Sequence, residues 1–138
     1  MARMVLLAAY LNLAGTDLTQ YCSKIELSCE VAEQDVTTFG SDGWREVTGG
    51  LGSGSLALTF KQDYDPSGLD TLMWALFLTR SPQTFEVRPS NAPVSASNPA
   101  YSGAVLLTEW TPVAGTVGDV AEADVTFPLS GKVVRSTS

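Results

Sequence analysis

The sequence contains no histidine, only two cysteines and only eight basic residues. Zinc sites are built from clustered cysteine and histidine, so this scarcity argues against a metal centre. A serine or cysteine nucleophile would need lysine or a carboxylate as its base, and no serine or cysteine stands in a recognisable nucleophile motif. The fifteen acidic residues include no marked pair of the kind that glycosidases use. We therefore expect neither an enzyme nor a cofactor.

The chain also lacks the run of about 20 apolar residues that a membrane-spanning helix needs. Its N-terminus combines one positive charge with a short apolar run, but no small-x-small cleavage site follows, so a secretory signal is the weaker interpretation. We expect residues 1–11 to contain a first strand, and we expect no association with a membrane.

Basic residues are too few and too scattered to form a surface that grips nucleic acid. Fifteen acidic residues against eight basic ones give a formal net charge of −7. Such a charge does not exclude a place beside DNA, because a wall past which a polyanion must slide should repel it.

The two cysteines, Cys22 and Cys29, lie seven residues apart in one extended segment. At the rise of a strand they would be separated by roughly 23 Å, so they cannot form a disulfide with each other. The odd spacing predicts side chains on opposite faces. We expect two reduced thiols, with Cys29 in the core.

Alternation of apolar and polar residues predicts a mainly β protein. At 138 residues the chain is long enough for a single domain with a sizeable core, and it shows no internal repeat. Pro128 cannot donate to a ladder, so the last clear strand should end, bulge or lie at an edge there. The fold class that we expect is an antiparallel β-sandwich or barrel with one α-helix. The segments with strand character are residues 23–31, 36–39, 56–61, 85–88, 101–110, 122–127 and 132–135.

Residues 31–55 contain two turn-rich stretches, 40–43 and 48–55, on either side of Trp44, Arg45 and Glu46. The second stretch holds four glycines and Leu51. This composition predicts a flexible loop.

The helix is predicted over about residues 67–78. Leu69, Leu72, Met73, Leu76 and Phe77 follow the spacing of a helix with one apolar side. An N-cap is supplied either by Asp65 before Pro66 or by Ser67, with Asp70 three residues on at the positive end of the helix dipole.

The turn before this helix, Asp63 to Gly68, resembles the start of a calcium loop because its carboxylates are two residues apart and a glycine stands sixth. The twelfth position is Trp74, where such a loop requires a bidentate glutamate. Calcium binding is therefore the weaker interpretation, and the carboxylates are better explained by helix capping.

The order of several segments along the chain is also informative. These are residues 12–19, the alternating strand, residues 36–40, the glycine-rich stretch, residues 59–64, the helix, residues 85–89 and residues 98–103. The order resembles that of the tail tube (major tail) proteins of long-tailed, non-contractile phages, particularly those that infect actinobacteria. The resemblance extends from about Met4 to Arg135.

The resemblance implies a structural virion protein, made in the cytoplasm of the host bacterium, that assembles into stacked hexameric rings. These form the hollow tail tube that conducts the genome into the host. The implied partners are other copies of the chain, a tape-measure protein, tail initiator and terminator proteins, and double-stranded DNA that passes without sticking. Residues 31–55, with Trp44, Arg45, Glu46 and Leu51, are then the candidate assembly loop.

In such a tube, acidic residues facing the lumen would repel DNA phosphates across about 8 Å, the Debye length at physiological salt. Strand alternation gives four candidates for this wall, namely Glu26, Glu30, Glu122 and Asp124. An equally open interpretation places the same four residues on the outside of the tube.

Two other functions remain open from sequence alone. One is a tail terminator or head-tail joining protein, which forms a single ring. The other is a soluble β-sandwich that binds a receptor or carbohydrate, with Trp44, Trp74, Trp110 or Tyr101 as an aromatic platform.

Overall fold

The computed structural model describes residues 3–138. The described chain folds into two antiparallel sheets and one α-helix, as the alternating pattern predicted. One sheet has the strand order β2-β1-β5-β6-β8 and the other the order β3-β4-β7. The elements are β1 (Tyr10–Leu13), β2 (Thr16–Asp17), β3 (Cys22–Asp35), β4 (Val47–Lys61), α1 (Leu69–Thr79), β5 (Gln83–Arg88), β6 (Ala100–Val105), β7 (Glu122–Pro128) and β8 (Val134–Ser136), with short 3₁₀ turns at Thr19–Tyr21 and Phe39–Ser41.

A single apolar cluster fills the space between the two sheets. It takes alternate residues from each strand, because successive side chains of a strand point to opposite faces. The predicted inward residues of β7 are buried, and so are their counterparts in β4. The main contributors are Leu11 and Leu13 of β1, Leu56, Leu58 and Phe60 of β4, Phe85 and Val87 of β5, and Ala123, Val125 and Phe127 of β7.

Helix α1 packs on this core through its predicted apolar side, with Leu69 and Met73 fully buried. Trp110 anchors its first turn, since the indole Nε1 donates a hydrogen bond to Oδ1 of Asp70 at 3.1 Å. The indole ring also lies edge-on to Phe60, with the ring centroids 6.2 Å apart. Asp70 therefore occupies the first turn, where an acidic side chain suits the helix dipole.

The predicted N-caps, Asp65 and Ser67, are wrong. The helix begins after Gly68, which has no side chain to cap it. A Cβ at Gly68 would lie 2.8 Å from Cγ of Asp63, so any larger residue would require the Asp63 side chain to shift. Asp65 instead accepts hydrogen bonds from the backbone N–H and the hydroxyl of Ser67, and these bonds lower the pKa of Asp65.

The largest departure from prediction is the stretch 48–55, which is a strand and not a loop. β3 and β4 form one long hairpin whose register runs from Cys22 opposite Phe60 to Asp35 opposite Val47. The end of the hairpin, residues 31–52, is exposed except for the buried Ser41. We call this end the arm.

Three further strand predictions are wrong in whole or in part. Residues 36–39 form no strand, because β3 ends at Asp35 and the chain then enters the 3₁₀ turn at Phe39–Ser41. Residues 3–9 form no strand, and β1 begins only at Tyr10. Residues 1 and 2 of that prediction lie outside the described chain. The strand predicted over residues 101–110 ends at Val105, because residues 106–110 leave the five-stranded sheet and run beside β7.

The prediction for Cys29 is also wrong, because its side chain is exposed. Ile25 and Leu27 of β3 pack against the core, but Cys29 does not, and it lines an open pocket beside Val87 and Tyr101. The two cysteines do not lie on opposite faces either. A β-bulge between Cys22 and Lys24 changes the alternation and turns Cys22 towards the core, where burial raises the pKa of its thiol.

Candidate functional site

The three-stranded sheet brings all four predicted acidic residues onto one face, the face that points away from the core. Glu26 of β3 lies opposite Ala57 of β4, and Glu30 lies opposite Ser53. On the other side of β4, Asp124 lies opposite Thr59 and Glu122 opposite Lys61. We call this surface the polar face.

Charge on the polar face is only partly balanced. Lys61 pairs with Glu122, and Lys24 approaches Glu26 with 3.9 Å between Nζ and Oε2. These pairs are exposed and contribute little to stability. Four carboxylates and two amines leave an excess of two negative charges on this part of the sheet.

Small neutral side chains separate these charges. Thr59 donates its hydroxyl to Asp124, and Ser53 donates to Glu30 at 3.5 Å. Ala57 occupies the centre, between Glu26 of β3 and Thr126 of β7. The result is a smooth, acidic surface without an aromatic platform or a basic cluster, and it offers nothing that would grip a phosphate backbone.

The outer edge of β3 is unpaired. β3 stands at the end of its sheet, and no strand of the described chain lies beyond it. Opposed residues of an antiparallel ladder alternate between those that exchange hydrogen bonds and those that do not. The backbone N–H of Thr126 points away from β4, because it donates to the side chain of Glu109. Thr126 and its opposite residue Ala57 therefore do not exchange hydrogen bonds, and Ala57 bonds instead to Glu26 of β3. The backbone groups of Ile25, Leu27 and Cys29 therefore face outward.

The outer edge of β7 is covered by residues 106–114, which we call the covering segment. At one end, the backbone N–H of Leu106 donates to the carbonyl of Pro128 at 3.1 Å. At the other end, the N–H of Glu122 donates to the carbonyl of Ala114 at 3.3 Å. Between them, the N–H of Thr126 donates to a side chain, Oε1 of Glu109, at 2.8 Å. The two edges of the sheet therefore differ, since one is open and the other is closed by its own chain.

The arm carries the predicted assembly residues, and the structure places them at two positions. Trp44 and Arg45 line a groove at its tip together with Phe39, and Arg45 pairs with Glu33. The backbone carbonyl of Glu46 accepts a hydrogen bond from Val36 at 3.0 Å. Leu51 lies further back on β4. Trp44 and Leu51 are 77% and 84% exposed, so the arm presents large apolar side chains to solvent.

Sequence reasoning missed Glu109 and the covering segment. Glu109 belongs to no motif, and its role depends on a fold that brings residues 109 and 126 together. The only available signal was Pro128, which indicated an edge strand without showing what covers it.

Other classes of site find no support in the described chain. Residues 3–138 contain no cluster of three or more potential metal ligands. The carboxylates of the calcium-like turn accept hydrogen bonds from backbone N–H groups of that turn. Among residues 3–138, no helix has the length and apolar character that crossing a membrane requires.

Comparison with solved structures shows where this fold occurs. A chain of the native gene transfer agent virion superposes with a TM-score of 0.77 at 17% identity, covering 97% of this chain and 99% of that one. A chain from the tail of the empty gene transfer agent particle, refined with C6 symmetry, superposes with a TM-score of 0.71 at 20% identity, and the superposition covers 93% of each chain. A chain of the six-fold symmetrised anti-feeding prophage baseplate superposes with a TM-score of 0.61 at 16% identity, covering 98% of this chain and 97% of that one.

Sequence comparison identifies the family. No curated protein matches the chain, but the family profile described as phage tail tube protein matches residues 16–135. That match includes the arm, the helix and every strand except β1, apart from the last residue of β8. The chain therefore belongs to the phage tail tube protein family, and it is a structural protein of the virion tail and not an enzyme.

Proposed function

We propose that this protein forms six-membered rings and that these rings stack into the hollow tube through which the genome passes. The observation that carries the proposal is the three-stranded sheet, which has an open β3 edge and an uninterrupted polar face. An exposed strand edge is a template for pairing with another chain, and closing a ring removes every such edge. The six-fold symmetry of a similar tail supports the ring number.

The strand order predicts how neighbours join. β3 and β7 both run antiparallel to β4, so they are parallel to each other. In a cyclic ring each subunit presents β3 to the β7 of the next, which is a heterologous contact. The seam between subunits is therefore a parallel pair. Six such sheets would form a barrel of 18 strands, about 36 Å across between backbones at a strand tilt of about 40°.

In this arrangement the polar face is the wall of the lumen. Its excess of two negative charges per subunit becomes twelve per ring, and it acts on DNA within about 8 Å at physiological salt. The wall repels phosphates and offers them no lysine or arginine cluster. DNA then passes without binding, which is the property that a conduit needs. The charges on Glu26, Glu30, Glu122 and Asp124 supply the repulsion.

Electron microscopy of the purified protein tests this proposal directly. Negative staining of the full chain at high concentration, with and without a tail initiator complex as a nucleus, should show hollow tubes of six-fold cross-section. Single rings that never stack would indicate a terminator or joining protein. Particles that remain monomeric in both conditions would contradict the proposal.

Stacking is the second part of the proposal, and we assign it to the arm. The arm lies outside the core and presents Trp44 and Leu51 to solvent, so it can reach the adjacent ring. Arg45 and Glu46 lie beside Trp44 in the chain and would accompany it into that contact.

A double variant, Trp44→Ser with Leu51→Ser, is expected to form rings but few tubes. Burying such side chains contributes about 2 kcal/mol each, and the contact is repeated six times per ring, so losing it should shorten tubes at least about tenfold. Tube length measured by electron microscopy checks this. The matched control is Trp74→Ser with Leu78→Ser on the exposed side of α1, which removes the same residue types. Tubes of normal length from the Trp44 and Leu51 variant would refute the assignment.

Within the virion, the tube would also contact a tape-measure protein in its lumen during assembly and initiator and terminator proteins at its ends. The unlike ends of a head-to-tail ring stack support two different end proteins. The chain would be made in the cytoplasm of the host bacterium, where its two thiols stay reduced.

A further inference from the structure

We propose that the Glu109 side chain is a latch that closes the β7 edge of the free subunit and that β3 of the neighbouring subunit displaces it when a ring forms. This inference rests on the proposed ring and adds the step that controls its closure. It follows from the different contacts made along one strand edge.

Glu109 takes the place of a neighbouring strand. Every second residue of an edge strand directs its N–H outward, and in β7 these residues are Glu122, Asp124 and Thr126. In a paired sheet each of these N–H groups would meet a carbonyl oxygen. Here the N–H of Thr126 meets a carboxylate oxygen of Glu109 at 2.8 Å, and the N–H of Asp124 has no partner in the described chain.

The contacts of the covering segment differ in how easily they can be released. The bond from Leu106 to the carbonyl of Pro128 joins two backbones, and breaking it would move the chain. The bond from Thr126 ends on an exposed side chain, so a change of rotamer at Glu109 is enough to free the N–H. Pro128 has no N–H to offer a partner, so that end of β7 loses nothing by remaining covered.

Displacement would expose one continuous stretch of edge. With Glu109 rotated away, the outward groups of Asp124 and Thr126 carry no hydrogen bond. The covering segment beside them is still held by the bond from Glu122 to Ala114 and by the bonds from Gln62 and Tyr64 to the carbonyl of Pro112, so this end of the segment must swing outward as β3 docks. The open edge of β3, at Ile25, Leu27 and Cys29, supplies the complementary donors and acceptors. A charge that occupies an edge is also a known protection against unwanted pairing, which suits a protein that must not polymerise before its nucleus is ready.

The first test compares rates of tube growth. Tubes of the full-length protein are sheared into seeds, fresh subunits are added, and elongation is followed by light scattering with tube length checked by electron microscopy. Glu109→Ala should elongate about tenfold faster than the natural sequence, which corresponds to about 1.4 kcal/mol. Glu109→Gln keeps an acceptor oxygen without its charge and should give an intermediate rate. Asp119→Ala, which removes one negative charge from a nearby loop, should elongate at the normal rate.

The second measurement examines the hydrogen bond itself. In the free subunit the amide of Thr126 should exchange its hydrogen at least about fivefold faster in Glu109→Ala, because the only partner of that amide is removed. Amides in the core strand β4 should be unaffected. An unchanged exchange rate at Thr126, or elongation of the folded Glu109→Ala protein at or below the normal rate, would overturn the latch.

Thr126→Pro separates failure of the latch from failure of the ring seam. Proline removes the outward N–H, and an edge strand tolerates this, as β7 already does at Pro128. The folded variant, verified by its thermal melting, should not elongate. If it elongates normally, β7 is not the seam and the proposed ring geometry fails. If Thr126→Pro fails to elongate while Glu109→Ala elongates at the rate of the natural sequence, β7 does form the seam between subunits but Glu109 does not act as a latch.

Discussion

Tubes built from a subunit with Glu26→Lys, Glu30→Lys, Glu122→Lys and Asp124→Lys are expected to assemble but to release DNA slowly. Each substitution replaces a negative charge with a positive one and so raises the net charge by two. The four together change the formal charge of the chain from −7 to +1. On the polar face the balance changes from two excess negative charges to six excess positive ones. DNA phosphates would then be attracted by every ring that they pass, and counterion release would strengthen that binding.

The rate of genome release from triggered virions, measured with a DNA-binding dye outside the particle, should fall at least about tenfold at low salt. Raising the salt should restore it in part, because screening weakens phosphate contacts steeply. A charge-matched comparison sets the double variant Glu26→Lys with Asp124→Lys against a control with Asp17→Lys and Asp65→Lys, two exposed carboxylates that lie outside both the polar face and the arm. If the polar-face double variant releases DNA as fast as this control, the polar face does not line the lumen.

The replacement of one glycine in β4 should have the largest effect on stability. A Cβ at Gly54 would lie 2.2 Å from the backbone oxygen of Ser28 and 2.8 Å from Cδ1 of Leu129. The backbone contact cannot be relieved by a rotamer change, so β3 and β4 must move apart. We expect Gly54→Ala to lower the free energy of unfolding by about 3 kcal/mol and the melting temperature by about 10 °C.

A matched control lies two residues away on the same strand. At Gly52 a Cβ would meet only the backbone oxygen of Glu30, at 3.9 Å, which is an ordinary contact. Gly52→Ala should therefore change the melting temperature by no more than about 3 °C, as measured by circular dichroism. Equal effects at the two positions would show that loss of glycine flexibility, and not the close approach of the strands, determines stability here.

The glycines of β4 also explain why the sequence pattern predicted a loop where the structure has a strand. Glycine is rare in regular strands, and four of them between residues 49 and 54 are typical of a flexible loop. At Gly54 the backbone of the paired strand comes so close that a side chain would not fit, and at Gly50 a Cβ would press on the side chain of Gln34. The glycines therefore serve strand pairing, and this requirement exists only once β3 is in place. By contrast, β7 was predictable because its alternating residues meet a core on one face and solvent on the other.

The errors at the two cysteines have a similar origin. Alternation predicts which face a residue occupies only while the register is unbroken, and the bulge after Cys22 shifts it by one position. Alternation also cannot show how far the core extends along a strand, so Cys29 was placed in a core that ends before it. The shared outward face of the four acidic residues was predictable because they lie on the regular part of β3 and β7. Glu109 could not be found, because its contact with Thr126 depends on the tertiary fold.

The arm has a mechanical consequence for the assembled tail. It is held by its own ladder, by the turn at Phe39–Ser41 and by the pair of Arg45 with Glu33, without any share in the core. If adjacent rings touch through such arms, each ring of packed β-sandwiches is a rigid disc, and the connections between discs are flexible. Bending would then be taken up between discs, so that a long filament could curve in solution while each disc kept its bore round and open.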